Sequence, residues 1–514
     1  MDQSVLAWSA LGLYVLITAV LAYRGWRKTK SLESFAVGTK DISPALIGLS
    51  LAAQLTSVAT FVVNPGLVFA YGLSGLLGFG VAAALGITVG IVLFTRAFRR
   101  VGTQMTALTV PQWIGARYKS KGLSLSFAIL SLALVSYAVL IVVAISHVLS
   151  TLLGLPSWVM ALGIIGFVFT YVMLGGVNAH VRTTAIQALI MLSVALLLLG
   201  VGLPTLWQGD GLFTRLARID PLLVQATNPA SLYFRNLFEV FGCNFLIGLA
   251  LVCQPHILSK SLYLKKDGDV RRYLTVAVAA GIVFSMMMWL GLFARLELAA
   301  TTRIDLVVPT YIATHFSYPL QVVISIGILC AGISTLEGIL LALSTVLSVD
   351  LYLGVFGGTR LLRDRSDEDK QRSALRVGRA AIVVIGAVTF WLSWHQIHNP
   401  TGGSVAIFAQ YGVYGLITAS IVPLAAGMFV PSSTRLSASL GAASAVLVYV
   451  AVAFLRVTEM SNNPAFLATC GIAAGWVTFF VVHFLGRRAP APTSGRAAAP
   501  AARASSRPRS LPPS

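Results

Sequence analysis

Hydrophobic positions in this chain fall in long blocks rather than in alternation. Apolar runs of about 20 residues recur from residue 5 to residue 486, each long enough to cross ~30 Å of hydrocarbon as a helix. They predict thirteen spans, over 5–23, 44–71, 73–95, 123–152, 157–174, 183–207, 236–257, 274–296, 319–352, 378–396, 404–428, 437–455 and 464–486. The short alternating segments of a membrane barrel are absent from the pattern. The pattern therefore predicts an all-α integral membrane protein.

Two of these blocks carry polar interruptions. The 44–71 span holds Gln54, Thr56, Ser57 and Thr60, then Asn64-Pro65-Gly66. The 236–257 span holds Asn236, Glu239, Gly242, Asn244 and Gly248. Backbone groups freed by such breaks survive in a membrane only where they line a cavity or bind something. Setting aside the first span and the last two leaves ten, which divide into five plus five, and an odd number per half inverts the second half. Inverted-repeat transporters have this layout, with discontinuous helices at the substrate site. The expected organisation is an anchor helix and inner loop (1–43), a first repeat (44–207), a second repeat (208–428), two further helices (429–488) and a disordered cationic tail (489–514).

The 319–352 span places Ala331, Ser334 and Thr335 at i, i+3 and i+4, one face of a helix. Gly338, Leu341, Thr345 and Ser348 continue the stripe. Two hydroxyls beside a carbonyl make a hard-oxygen surface that a small cation can use, with carbonyls of a broken 44–71 span completing the shell. The same residues also suit self-capping on i−4 carbonyls or close helix packing, and spacing alone leaves both readings open. Glu337 costs at least ~2.5–3.5 kcal/mol inside a span. It reads either as a polar relay facing the same way as Ser334 or as a paired carboxyl between helices. Glu239 is expected near the membrane surface and His147 as a packing histidine. Gly175-Gly176 predicts a tight inner turn with Thr183 or Thr184 capping the next helix. In "QPHILSKSLYLKK" Pro255 is expected to end a helix and His256, Lys260, Lys265 and Lys266 to lie in or near water. Gly75, Gly78 and Gly80 mimic a nucleotide loop but open an apolar helix without a preceding strand, which excludes that use.

Charge changes the picture less than its total suggests. The chain has 514 residues, 11% charged, and a formal charge of +20; soluble domains carry about 25% charged residues. With the N-terminus outside, 31 of the 37 Lys and Arg fall on inner segments. That asymmetry sets orientation by the positive-inside rule and puts the C-terminus in the cytoplasm. It accounts for the basic balance without nucleic acid. No basic segment precedes the first span, so it reads as a retained anchor rather than a signal peptide. Cys243, Cys253, Cys330 and Cys470 lie in apolar spans at no metal-like spacing.

Four stretches, in this order, resemble the sodium/solute symporter family, whose members have the LeuT-type fold of two inverted five-helix repeats. "FAVGTKDISPALIGLSLAAQLTSVATFVVNPGLVFAYG" resembles the family's first core helix, and "YVMLGGVNAHVRTTAIQ" its Gly-Gly turn. "CQPHILSKSLYLKK" resembles the signature after span 7, and "AGISTLEGILLALSTVLSVDLY" the sodium-site helix with its acidic-Tyr ending. The resemblance covers about residues 5–455. It implies a sodium site made by the carbonyls of Ala52, Leu55 and Ala331 and the hydroxyls of Ser334 and Thr335. It implies solute beside it, near Gln54, Ser57, Phe61 and Asn244. There are departures. Leu55 stands where sodium/proline symporters carry an aspartate, Thr183-Thr184 where the family often reads Thr-Asp, and Lys260 where arginine is common, which keeps the charge but loses the planar fork. The Pro-His wording is nearer the proline, pantothenate and monocarboxylate branches than the sugar branch.

The function this implies is Na⁺-coupled symport of a small organic solute across the plasma (inner) membrane, with Na⁺ as coupling ion and no enzyme activity. The alternatives are a proton-coupled transporter of the same fold, with Glu337 as carrier, and a membrane solute sensor.

Overall fold

The computed structural model describes residues 3–105, 107–300, 303–360, 362–399 and 405–488. The tail at 489–514 lies outside the described residues. Every described element is a helix. Among the described residues ten helices are long and apolar enough to cross a membrane, and two bent pairs bring the total to twelve. Thirteen is reached only by dividing the 50-residue run Ser157–Leu206. That run is interrupted at Gly176, whose backbone (φ 57°, ψ −150°) is non-helical. Positive φ is cheap for glycine alone, and the Phe35 backbone and ring occupy the space a side chain there would need.

Thr183 and Thr184 lie inside the second part of this run rather than at its start. The capping expected of them is therefore corrected: helix resumes at once after Gly176, so no free N-terminus falls near residue 183. Both hydroxyls bond instead to carbonyls one turn back and to partners on other spans.

The two bent pairs fall in the two spans that the polar residues pointed to, although the first bends before Asn64-Pro65-Gly66 and the second after Gly248. Pro44–Leu55 and Ala59–Tyr71 meet at 53°, Phe238–Leu251 and Pro255–Tyr263 at 58°. Pro44 starts its helix at a position where its missing N–H costs nothing, under a Ser43 hydroxyl that accepts the Leu46 N–H. The first broken span packs against Asp269–Ser285 and against the Ser157–Gly202 helix, which in turn packs on Tyr318–Thr345. The terminal helices Val405–Phe429, Arg435–Leu455 and Pro464–Arg488 pack on one another.

Candidate functional site

The first broken span loses its helix at Leu55, where Thr56 takes φ −102° and ψ 81°. The Ala52 carbonyl still accepts the Thr56 N–H at 3.0 Å. The next two carbonyls turn to the facing span. Ser334 Oγ donates to the Ala53 carbonyl at 3.1 Å, and Thr335 Oγ1 donates to the Gln54 carbonyl at 3.1 Å. Both hydroxyls also lie within reach of the Ala331 carbonyl, at 3.0 and 3.4 Å. Ala331, Ser334 and Thr335 are completely buried, as are Ala52 and Ala53. The C-terminal end of Pro44–Leu55 thus presents carbonyls, with the partial negative charge of a helix end, to two hydroxyls. Three carbonyls and two hydroxyls form a neutral, dry, hard-oxygen cluster of the kind that suits a small cation. Ala52 and Leu55, the carbonyls implied by the resemblance, flank the pair that makes these contacts.

Glu337 does not face the way Ser334 does. Its carboxylate is completely buried against the Ser157–Gly202 helix. Tyr171 donates to Oε1, Gln187 Nε2 donates to Oε1 at 3.0 Å, Thr183 donates to Oε2 at 2.7 Å, and His180 Nδ1 lies 3.1 Å from Oε2. Four partners, Tyr171 before the Gly176 break and His180, Thr183 and Gln187 after it, make Glu337 the centre of a buried polar network. Sequence spacing alone put it on the Ser334 face; its long side chain reaches sideways to the next helix instead.

Lys260 and His256 are a second correction. Both are buried, Lys260 completely. Pro255 does not end a helix at the water. It opens the second half of the broken span, and that half carries both side chains back into the protein. Lys265 and Lys266 are exposed, as expected. Glu239 sits in the first turn of its span. It is fully buried, paired to Arg235 at 2.8 Å and accepting from Asn463 Nδ2 at 3.1 Å. The i,i+4 spacing of Arg235 and Glu239 was a signal for this pair. His147 is half-buried, with Nδ1 3.2 Å from the Ser157 hydroxyl.

Beyond Leu55 the break opens on a cavity of about 210 Å³. Thr56, Ser57, Thr60, Tyr137, Asn244 and Gln410 are among its polar lining. Among the described residues, none of its lining is Asp, Glu, Lys, Arg or His. Ser57 and Asn244 thus line the same cavity. Asn244 spends its Nδ2 donor on the Glu239 and Val240 carbonyls of its own span, at 2.8 and 3.3 Å. Gln54 and Phe61 do not line this cavity. Gln54 turns away into the notch left by Gly338, where a Cβ would overlap its amide, and neither of its amide atoms has a hydrogen-bond partner. Phe61 is fully buried, its ring 6.1 Å from that of Phe284, which does line the cavity.

The chain is similar to a solved Na⁺-coupled sialic acid symporter, with a TM-score of 0.77 over 93% of this chain and 97% of that one, at 15% identity. That likeness carries the fold. Among curated proteins it is 26% identical to the sodium/pantothenate symporter of Escherichia coli over 472 residues, 88% of this chain and 91% of the relative. It is 25% identical to the corresponding protein of Haemophilus influenzae over 347 residues, 66% of this chain and 70% of the relative. It is also 25% identical to a sodium/proline symporter of Staphylococcus aureus over 466 residues, 86% and 84% of the two chains. The model of the sodium:solute symporter family matches residues 35–448. Matched by that model over most of its length, the chain belongs to the sodium:solute symporter family.

Proposed function

We propose that the coupling Na⁺ binds between the first broken span and the 319–352 span, and that solute occupies the adjoining cavity. The observation that carries this is the pair of hydroxyls, Ser334 and Thr335, that reach the freed carbonyls of Ala53 and Gln54. An ion there takes those oxygens, with the Ala331 carbonyl and the flanking Ala52 and Leu55 backbone, and ties the two spans together in the outward-facing form. Solute in contact with Ser57 and Asn244 then completes closure, and the inner side opens by alternating access. Phe61 backs the Phe284 ring of the cavity lining, and Gln54 stands behind the first break.

The cavity lining offers hydroxyl and amide groups without an ionised side chain. This supports a small organic solute, a monocarboxylate, a pantothenate-like acid or an amino acid, whose carboxylate is hydrogen-bonded by the wall and balanced by the nearby ion. One charge falling through 100 mV supplies ~2.3 kcal/mol. A tenfold Na⁺ gradient adds ~1.4 kcal/mol, so one ion sustains roughly 500-fold accumulation of a zwitterion and about tenfold of a monoanion, whose charge cancels the voltage term. The N-terminus is outside, the C-terminus is cytoplasmic and the membrane is the plasma (inner) membrane, in keeping with the basic inner segments.

Replacing Ser334 and Thr335 together by Ala is the direct test. Two hydrogen-bonding groups at ~1 kcal/mol each raise half-saturating Na⁺ about thirtyfold, while the purified protein still folds without Na⁺. Wild-type Na⁺ dependence in the double variant would refute the site. Thermal stabilisation by a panel of carboxylates and amino acids, with and without Na⁺, identifies the solute.

A further inference from the structure

The stripe that carries Ser334 and Thr335 continues past the proposed ion. One face of the Tyr318–Thr345 helix runs on through Gly338 and Leu341 to Thr345, about 15 Å further along the axis. Thr345 is buried, and its hydroxyl donates to the Leu341 carbonyl one turn back at 2.8 Å. Beyond it the chain widens into π-helical turns over Val346–Leu353, a geometry frequent at functional sites. Leu341 and Thr345 line a void of about 20 Å³, room for one water-sized guest. Thr109, Ser259 and Tyr263 also line it.

Thr109 joins this void to a carboxylate. Its hydroxyl donates to Asp350 Oδ2 at 2.6 Å, and the Ser124 hydroxyl donates to Oδ1 at 3.2 Å. Asp350 is buried, and among the described residues no Lys, Arg or His forms an ion pair with it. Glu239, a buried acid at the head of the second broken span, has Arg235 for that purpose. A buried carboxylate is costly without a countercharge, and acids inside spans mark ion pathways. The oxygens at Ser334 and Thr335 are neutral, so a charged oxygen further along the same helix gives a departing cation somewhere to go. Two hydroxyls share that charge, which keeps the hold weak enough for the ion to leave again.

We infer that Asp350 is the landing point of the coupling ion on its way to the cytoplasm: Na⁺ released from Ser334 and Thr335 passes the Thr345 hydroxyl and the void beside it, and is received by the Asp350 carboxylate with the Thr109 and Ser124 hydroxyls. This rests on the proposed ion site and on the proposed orientation, which puts residue 350 at the inner end of its span.

Two assays in proteoliposomes test it, with labelled pantothenate as the transported probe. Net Na⁺-driven uptake obliges the ion to leave on the inner side in every cycle. Exchange of labelled for unlabelled pantothenate, with saturating Na⁺ on both faces, does not, because the loaded carrier can return. Asp350→Asn removes the charge and keeps the shape. Its net uptake is expected to fall ~10-fold or more, with exchange slowed no more than ~2-fold. Asp350→Glu, which restores the charge, is expected to recover part of the net uptake. Net uptake and exchange falling together in Asp350→Asn, or neither falling, overturns the inference. Where Asp350→Asn does not fold, Thr345→Val removes the hydroxyl on the path and is expected to lower net uptake ~3-fold with exchange kept; an equal loss in both assays, or in neither, again overturns it. Wild-type Na⁺ dependence in Ser334→Ala/Thr335→Ala, with Asp350→Asn still separating the two assays, would refute the first site and leave the landing point standing.

Discussion

The breaks at 55–59 and at 251–255 bend their spans by similar angles, 53° and 58°, yet they use their freed backbone groups differently. The second break satisfies itself. Cys253 and Gln254 N–H groups donate to Ala250 and Leu251, the Gln254 side chain adds a bond to Leu251, and the Ile257 and Leu258 N–H groups return to the Gln254 carbonyl. The first break satisfies its N–H groups locally, on Ser57, but sends the Ala53 and Gln54 carbonyls to hydroxyls 281 residues away. A discontinuity that closes on itself is a structural bend. One whose acceptors depend on another span is a joint that something else can occupy.

Four substitutions sharpen this contrast. The largest effect is expected at the head of the second broken span. Glu239→Ala leaves Arg235 and Asn463 without their partner, and loss of one member of a buried pair costs about 3 kcal/mol. Thermal melting measures it, and the surviving protein should keep wild-type Na⁺ half-saturation; a shifted Na⁺ response would make the second break part of the ion site. Next comes Gly338→Val, which drives a side chain into the Gln54 amide beside the first break. Overpacking of this kind costs about 2 kcal/mol, and here Na⁺ affinity should weaken with stability. Gln54→Met is smaller and opposite in sign. The amide has no partner to lose, so stability should hold or rise by up to ~1 kcal/mol; a clear loss would mean that the amide is paired in the membrane.

The smallest effect lies at the foot of the first broken span. Asp41 is bonded to Lys28 and Thr39, which hold its carboxyl below its ordinary 3.8. A depressed folded value means that stability from this group is present above the ordinary value and is lost as pH falls through the folded one. Asp41→Asn should therefore melt slightly earlier than wild type at neutral pH, with the gap closing below about pH 4.

Much of this was legible in the sequence because membrane spans declare themselves by length and polar residues marked which spans break, although Asn64-Pro65-Gly66 lies inside the Ala59–Tyr71 helix and the break falls before it. The Ser334–Thr335 face was legible because i, i+3, i+4 spacing survives folding. What the sequence hid depends on neighbours. "QPHILSKSLYLKK" reads as an interface segment, since nothing local says that Lys260 meets Ser50, 210 positions earlier. The partners of Glu337 lie 150 to 166 residues away. Gln54 and Phe61 were placed by resemblance, and rotation about the helix axis, which resemblance does not fix, sets which side chains meet the cavity.

The cavity without ionised walls has an electrical consequence. Among the described residues no charged side chain lines the cavity, so the charge that a turnover carries through the cavity is that of its passengers. With one accompanying cation, a monoanion makes the cycle silent to voltage, while a zwitterion makes it a current source. A patch electrode would thus sort candidate nutrients by their ionic state before any of them is chemically identified.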